Sequence, residues 1–325
     1  MLYQRVNKQL TTAITVAQGF AGMAPARPVT PCHTPARRCA VPRRLIYTPR
    51  FTARLPPMPL SDLAAPFVRH RALLGALSRR ELATKYRTSF LGNLWMLITP
   101  LLMLAMYTFV FGVIFHSRWA GMGSHGVASF AIVLFSGLLL HTLLSDTMGR
   151  APTLILEEPN YVTKVVFPLE LLAWVNMLTA LVHMLVGYVL LLAVMALLMP
   201  PVPPTALWLP VIVAPYLLYL LGLGWALSAV GVYLRDLGQF MGTMVSLLLF
   251  LSPVFYPRAN APAGLGRWLI LNPLTIPVEQ ARRVLFHHLS PQPLVLLAYA
   301  GGGIVVYVVG LAIFQKLRRG FSDVI

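Results

Sequence analysis

The sequence predicts an all-α integral membrane protein. It reads as six transmembrane helices, an amphipathic interfacial helix before them, re-entrant outer helices between spans 5 and 6, and both termini in the cytoplasm. Hydrophobic residues make up 58% of the 325-residue chain, charged ones only 11%, and mean hydropathy is +0.73. A soluble domain is about half apolar and about a quarter charged. Asp, Glu, Lys and Arg are missing from the intervals 88–115, 119–145, 171–234, 237–257 and 284–315, and about 20 apolar residues suffice to cross a bilayer. Basic residues then collect on alternate sides of the runs, which orients them.

In chain order, residues 1–60 contain nine Lys or Arg, no acid, many prolines and both cysteines, the composition of a disordered basic tail. Cys32, His33 and Cys39 lack the paired spacing of a zinc site. Arg5 and Lys8 precede a mildly apolar run and "APA" at 24–26, as in a signal peptide. Gln18 interrupts that run, and cleavage would require a strongly basic segment to be translocated, so the reading is rejected. An alternative expectation starts the native chain at Met58, "MPLSDLAAPF", with the upstream residues arising from a wrongly chosen start codon.

From residue 61 to about residue 90 the pattern is helical, with Ser61 or Asp62 available as cap. At about 100° per residue, Phe67, Leu73, Leu74 and Leu77 share one arc and Arg69, Arg79, Arg80 and Arg87 oppose it, while Glu81 and Lys85 intrude on the apolar side. A helix lying on the cytoplasmic leaflet fits this pattern; a plain juxtamembrane anchor is the alternative.

The expected spans are 93–115, 127–147, 169–198, 207–232, 238–256 and 294–314. The long 171–234 interval breaks at "PPVPP", 200–204, where prolines withdraw backbone donors. Continuous runs of this kind exclude a barrel, whose strands alternate. With the N-terminus inside, Arg79, Arg80, Lys85, Arg87, Arg150, Lys164, Arg235, Lys316, Arg318 and Arg319 lie on the inner side. Arg118, Arg258, Arg267, Arg282 and Arg283 lie outside. The net charge of +17 then meets anionic lipid headgroups rather than nucleic acid, for which no motif is present.

Three ionisable residues fall within spans, His141, Asp146 and His183, and each is a functional candidate by position. Asp146 stands four residues before Arg150 and is expected to pair with it. The histidines are expected to be packed and hydrogen-bonded at helix contacts.

Two connections stand out. "EEPNYVTKVVFP", 157–168, places Glu157 and Glu158 side by side in a chain with nine acids. It reads either as a short helix ended by Pro168 that offers charge and an aromatic anchor, Tyr161, to a soluble partner, or as a solvated loop. "RWLILNPLTIPVEQARRVLFHH", 267–288, is apolar, too short to span, and broken by Pro273 and Pro277. Two short helices dipping into the outer leaflet satisfy that pattern; an amphipathic helix resting on the outer surface is the alternative.

No G-x-x-x-x-G-K-[ST] occurs, so no P-loop cradles nucleotide phosphates here. A G-x-S-x-G elbow and an H-E-x-x-H pair are also missing. The chain is not expected to be an enzyme, and any energy source must lie in another chain.

Several stretches together resemble a known family: "RRELATKYRTSFLGNLWMLITPLLMLAMYTFVFGVIF" (79–115), "LEEPNYVTKVVFPLELL" (156–172), "GVYLRDLGQ" (231–239), "FLSPVFYP" (250–257), "LNPLTIPVEQARRVLF" (271–286) and "FQKLRRGFSDVI" (314–325). From about Ser61 onward the chain is similar to the membrane subunits of polysaccharide-exporting ABC transporters, type-2 permeases of the O-antigen and teichoic-acid export kind. The resemblance implies a homodimer with a channel at its interface and two ATPase subunits that carry ATP and magnesium; it implies no cofactor or metal in this chain. It also implies a coupling helix within 150–168, with Glu157, Glu158, Asn160, Tyr161 and Lys164, and a second contact at Arg235 and Asp236. Outer-gate candidates are Asn272, Pro273, Pro277, Glu279, Arg282 and Arg283, the two arginines able to meet lipid phosphate or an anionic polymer. Trp95, Tyr107, Phe109, Phe111, Trp174 and Tyr256 are candidate sugar-stacking rings, and aromatic residues in spans also pack on lipid or on each other. The rival readings are a type-2 exporter of a drug or lipid and a membrane-embedded glycan or acyl transferase.

Overall fold

A computed structural model describes residues 70–87, 89–114, 126–163, 167–198, 201–256, 258 and 269–325. The basic tail with its cysteines, Met58, the Ser61/Asp62 cap and Lys164 lie outside the described residues. Among those described, all regular structure is helical. The α-helices are α1 (Arg71–Arg87), α2 (Trp95–Tyr107), α3 (Gly126–Arg150), α4 (Pro159–Thr163), α5 (Glu170–Leu198), α6 (Leu209–Tyr233), α7 (Leu237–Phe250), α8 (Thr275–Phe286), α9 (Pro293–Leu317) and α10 (Phe321–Val324). Five stretches are long and apolar enough to cross a membrane: Gly92–Ile114, Phe130–Thr153, Glu170–Leu198, Pro204–Tyr233 and Pro293–Gly320.

The hub is α3. Ala131, Ile132, Val133, Leu134 and Phe135 are each no more than 1% exposed, and α2, α5, α6, α7 and α8 all pack around the helix. Apolar residues on every face mark either a core helix or a span; this one is both. Tyr188 donates to the Ser136 carbonyl at 2.9 Å, Tyr216 to that of Leu140 at 3.2 Å and Asn176 to that of Thr147 at 3.1 Å. In lipid, where apolar burial between helices gains little, such bonds average about 0.6 kcal/mol each and act with close packing.

Close packing is most evident between α6 and α9. A Cβ on Gly222 would fall onto the Val306 carbonyl, and one on Gly310 onto Gly222 itself, so the two backbones touch. Beside this contact Tyr219 stacks on Tyr299 at 4.7 Å and Trp225 meets Tyr307 edge-on at 4.9 Å.

The first expected span, 93–115, corresponds to Gly92–Ile114 but changes winding along its length: a 3₁₀ turn, Gly92–Leu94, leads into α2, and Thr108–Ile114 is wound as a π-helix. The wider winding accompanies Phe111, which packs on Phe130 at 5.6 Å and Phe255 at 6.1 Å. The fifth, expected over 238–256, stops at Phe250 and gives way to turns through Val254. Pro253 has no amide hydrogen to continue it. With 14 residues, α7 is about 21 Å long, short of the roughly 30 Å hydrocarbon core.

Leu74 of α1 is buried against Leu171 and Val175 of α5, with Leu77 alongside. Leu74 and Leu77 of the expected arc thus face α5, whereas Leu73 is exposed and Phe67 lies outside the described residues. Segment 269–286 forms a 3₁₀ turn, Leu269–Leu271, followed by α8. Val278, Ala281 and Leu285 of α8 are buried in the main core, so this helix is enclosed by protein rather than resting on a surface.

Candidate functional site

At one end of the bundle, the connection after α3 begins with a 3₁₀ turn, Ala151–Thr153, packed against both α6 and α7. Gly231 makes this contact possible, because a Cβ there would meet the Pro152 carbonyl. Leu154 and Ile155 are buried, and the following turn closes with the Glu157 amide donating to the Thr153 carbonyl at 2.9 Å.

Arg150 organises this end. Its Nε and Nη2 donate to Glu157 Oε2 at 3.1 and 3.0 Å, and its Nη1 donates to Glu81 of α1. Thr153 Oγ1 donates to the second oxygen of Glu157 at 2.7 Å. Arg150 thus ties the end of α3 to α1 and to the connection that follows α3. The expected Asp146–Arg150 pair is overturned: one turn earlier, Asp146 faces α5 and receives His183 Nδ1 at 3.3 Å, while His183 Nε2 meets the Tyr86 hydroxyl at 3.0 Å. A carboxylate only accepts, which calls for a proton on Nδ1, and the tyrosine hydroxyl can serve Nε2 as donor or acceptor. Burial, and then the Asp146 charge, push the Tyr86 pKa up, which keeps that hydroxyl protonated. A cavity of about 470 Å³ opens beside the chain, lined by Glu81, Lys85, Asp146, Arg150, Asn176 and His183. His141 contacts the Val245 carbonyl at 3.1 Å, so both histidines sit at helix contacts as expected.

Of the expected coupling residues, Glu157 is exposed but engaged on both oxygens, and Glu158 precedes α4 rather than lying in it. Asn160 is exposed in the first turn of α4, and Tyr161 stacks on Phe167 at 4.6 Å. Arg235 and Asp236 are exposed in the turn between α6 and α7. Both connections rest on the Ala151–Thr153 turn through the starts of α7 and the end of α6, so the structure brings the two groups to one end of the bundle.

At the opposite end, segment 269–288 holds the terminus of α7. Asn272 Nδ2 donates to the Leu248 and Leu251 carbonyls at 3.2 and 3.3 Å. The buried Arg282 donates to the carbonyls of Pro253 and Val254. The Leu248 carbonyl is one of those a helix leaves unsatisfied where it ends, and those of Leu251, Pro253 and Val254 belong to the turns that follow. Burial lowers the Arg282 pKa to about 10, so it stays charged at neutral pH. Gly137 of α3 provides the space, since a Cβ there would stand 3.3 Å from the guanidinium. Pro273 accepts from Tyr299 at 2.6 Å, and Pro277 is buried in α8. Glu279 pairs with Arg258 at 3.6 Å; burial raises its pKa, and the arginine opposes that shift. Arg283 donates to the Ser290 carbonyl at 2.9 Å. In this structure the Arg282 guanidinium faces backbone carbonyls, with the Glu279 charge nearby.

The six candidate rings do not converge. Trp95 and Phe109 are exposed, Tyr107 and Phe111 pack on each other at 6.2 Å, Trp174 lies edge-on to Trp225 at 6.4 Å, and Tyr256 reaches the Phe250 carbonyl at 3.5 Å. Sequence reasoning missed the Tyr86–His183–Asp146 chain and a second ion pair, Glu170 of α5 with Arg318. Glu81 was the available signal: an acid on the apolar arc of α1 must meet a partner.

The sequence profile of the family described as "ABC-2 type transporter" matches residues 72–286. The chain is similar to the "O-antigen export system permease protein RfbA" of Myxococcus xanthus, 29% identical over 78% of this chain and 95% of the relative. A protein of the same name from Klebsiella pneumoniae is 22% identical over 78% and 95%. The "Polysialic acid transport protein KpsM" of Escherichia coli is 24% identical over 74% and 91%. With the profile spanning more than half of its length and five helices long enough to cross a bilayer, this multi-pass membrane protein belongs to the ABC-2 type transporter family.

Proposed function

We propose that the chain is the permease subunit of an ATP-driven exporter that moves a lipid-linked polysaccharide of the O-antigen, capsule or teichoic-acid type across a bacterial plasma membrane. The carrying observation is that relatives named for O-antigen, polysialic acid and capsule polysaccharide export are each matched over more than nine-tenths of their length. Two copies form the pathway, and two ATP-binding subunits dock at the Arg150 end, which faces the cytoplasm by the positive-inside rule. ATP and magnesium bind in those subunits, where hydrolysis takes place.

The geometry supports this reading. The exposed first turn of α4 and the Arg235–Asp236 turn offer a composite docking face. Movement of that face reaches α3 and α6 through the Ala151–Thr153 turn and α1 through Arg150 and Glu81, as closure of a partner requires. Segment 269–288, clamped onto the end of α7 by Asn272 and Arg282, stands at the far end as a gate.

Deletion of the gene in its native host tests the proposal. The expected result is loss of one surface polysaccharide with accumulation of its lipid-linked form inside. Unchanged surface glycan, with loss of efflux of a drug or a lipid instead, overturns it.

A further inference from the structure

We infer that the C-terminal segment, residues 318–325, is part of the face that docks the ATP-binding subunit, held in place by the buried Glu170–Arg318 ion pair as a positioning device. This deepens the proposed function and rests on it. The family profile ends at residue 286 and assigns nothing to this segment.

Glu170 is the first residue of α5, directly after the coupling connection, and its side chain is 3% exposed. Arg318 Nη1 lies 2.5 Å from its Oε1, and the other carboxylate oxygen has no partner among the described residues. Arg318 therefore supplies the compensating charge, and a buried charge stranded without its partner is strongly unfavourable. That requirement holds the chain after α9 against the start of α5.

Aromatic packing continues the attachment. Phe321 is 1% exposed, edge-on to Phe314 at 5.8 Å and 6.2 Å from the Tyr233 ring, and the Tyr233 hydroxyl donates to the Leu317 carbonyl at 2.9 Å. A Cβ on Gly320 would meet that hydroxyl, so glycine lets the Tyr233 ring lie close against the chain there. Helix α10 packs on α4, and Phe321 shares one apolar cluster with Ile155, Leu169, Tyr161 and Val162. The coupling helix, the end of α6 and the tail consequently move as one body.

What this body exposes is suited to a soluble protein. Leu234 and Val324 are 58% and 40% exposed, among exposed Asn160, Arg235, Asp236 and Arg319. Apolar side chains set among charges of both signs are an anchor-and-rim pattern, and charges so placed would be costly against lipid tails. The face is continuous with the coupling helix, which commits it to the same occupant.

The test uses the full-length chain in nanodiscs with the ATPase encoded beside it. Arg319→Glu with Val324→Glu alters only exposed side chains. It is expected to weaken ATPase docking roughly tenfold or more with the thermal midpoint retained, and Val324→Ser to weaken it less. Arg318→Gln is expected to weaken docking similarly, and Glu170→Gln with Arg318→Gln to restore it by removing the stranded charge. Docking unchanged in the Arg319→Glu, Val324→Glu protein overturns the inference, and the proposed function stands if Asn160→Arg still weakens docking. A double Glu170, Arg318 variant as weak as Arg318→Gln overturns the positioning role. A wild-type chain that recruits no ATPase overturns the proposed function itself.

Discussion

Replacing Arg150 by methionine keeps most of the side chain's bulk and removes the cation that joins α1, α3 and the coupling connection. The side chains of Arg150, Glu81 and Glu157 are 43%, 22% and 44% exposed, so solvent screens both pairs and each contributes about 0.2–1 kcal/mol. Together they amount to about 0.5–2 kcal/mol, a factor of about 2–30 in a local opening equilibrium. That is small against the whole bundle and large for one turn. Amide exchange by mass spectrometry is therefore expected to accelerate about 2–30-fold in segments 71–87 and 154–163, while the thermal midpoint moves by no more than about 5 °C. Coupled ATPase activity is expected to fall. Lysine at 150 restores part of the protection, because a compact ammonium cannot serve two carboxylates as a guanidinium fork does. Unchanged exchange in both segments, or a midpoint that collapses while they stay protected, refutes the argument that Arg150 is a local joint.

Gly231→Val drives a side chain onto the Pro152 carbonyl and is expected to cost about 1–3 kcal/mol, read as a lower unfolding midpoint in detergent with a loosened 151–163 connection. Arg282→Leu strips the donors from the Pro253 and Val254 carbonyls, at about 1–3 kcal/mol for each group left unsatisfied; faster proteolysis within 251–256 is the expected signature. Glu279→Gln tests the raised pKa of that carboxyl. A folded-state value above the unfolded one gives stability that is full below the ordinary carboxylate range and is lost as pH rises through the folded value. At pH 7.5 the glutamine variant should thus match or exceed wild type in midpoint, and the difference should vanish near pH 4; a variant markedly less stable at pH 7.5 contradicts this sign.

How much of this was legible depends on the range over which each signal acts. Charge-free runs located α3, α5, α6 and α9 because lipid demands an uninterrupted apolar stretch, a property of the local sequence alone. The arc of Leu74 and Leu77 located the docked face of α1, and the intrusion of Glu81 on that arc marked a contact whose partner, Arg150, is 69 residues away. The Asp146–Arg150 expectation failed because an i, i+4 rule sees only its own helix, whereas His183 and Glu157 approach from other elements. The early end of α7 was hidden for the same reason: hydropathy continues past Phe250, and the groups that permit the helix to stop there are Asn272 and Arg282. At the candidate site, the acids of 157–158 drew attention to the connection after α3. Pairing of Glu157 with Arg150 and Thr153 was not legible, because neither the fork of the arginine nor the turn at Thr153 is encoded in the acid pair itself; Glu157 and Asn160 are both exposed.

The dependence of α7 on distant side chains also orders the protein's synthesis. Carbonyls in the last turn of α7 and in the turns just beyond it are met by donors that lie 21 to 29 residues later in the chain. The Leu251 amide and Ser252 satisfy the Leu247 and Leu249 carbonyls locally, but the donors from Asn272 and Arg282 are still inside the ribosome when α7 emerges from it, and unpaired carbonyls are costly in the apolar layer. Integration of α7 is thus expected to be completed only once Arg282 has emerged from the ribosome. Nascent chains truncated before Asn272 should leave α7 outside the bilayer in a glycosylation-mapping assay, and chains extended beyond Arg282 should bring it in. Stable insertion in the shorter chains would show that α7 needs no downstream help.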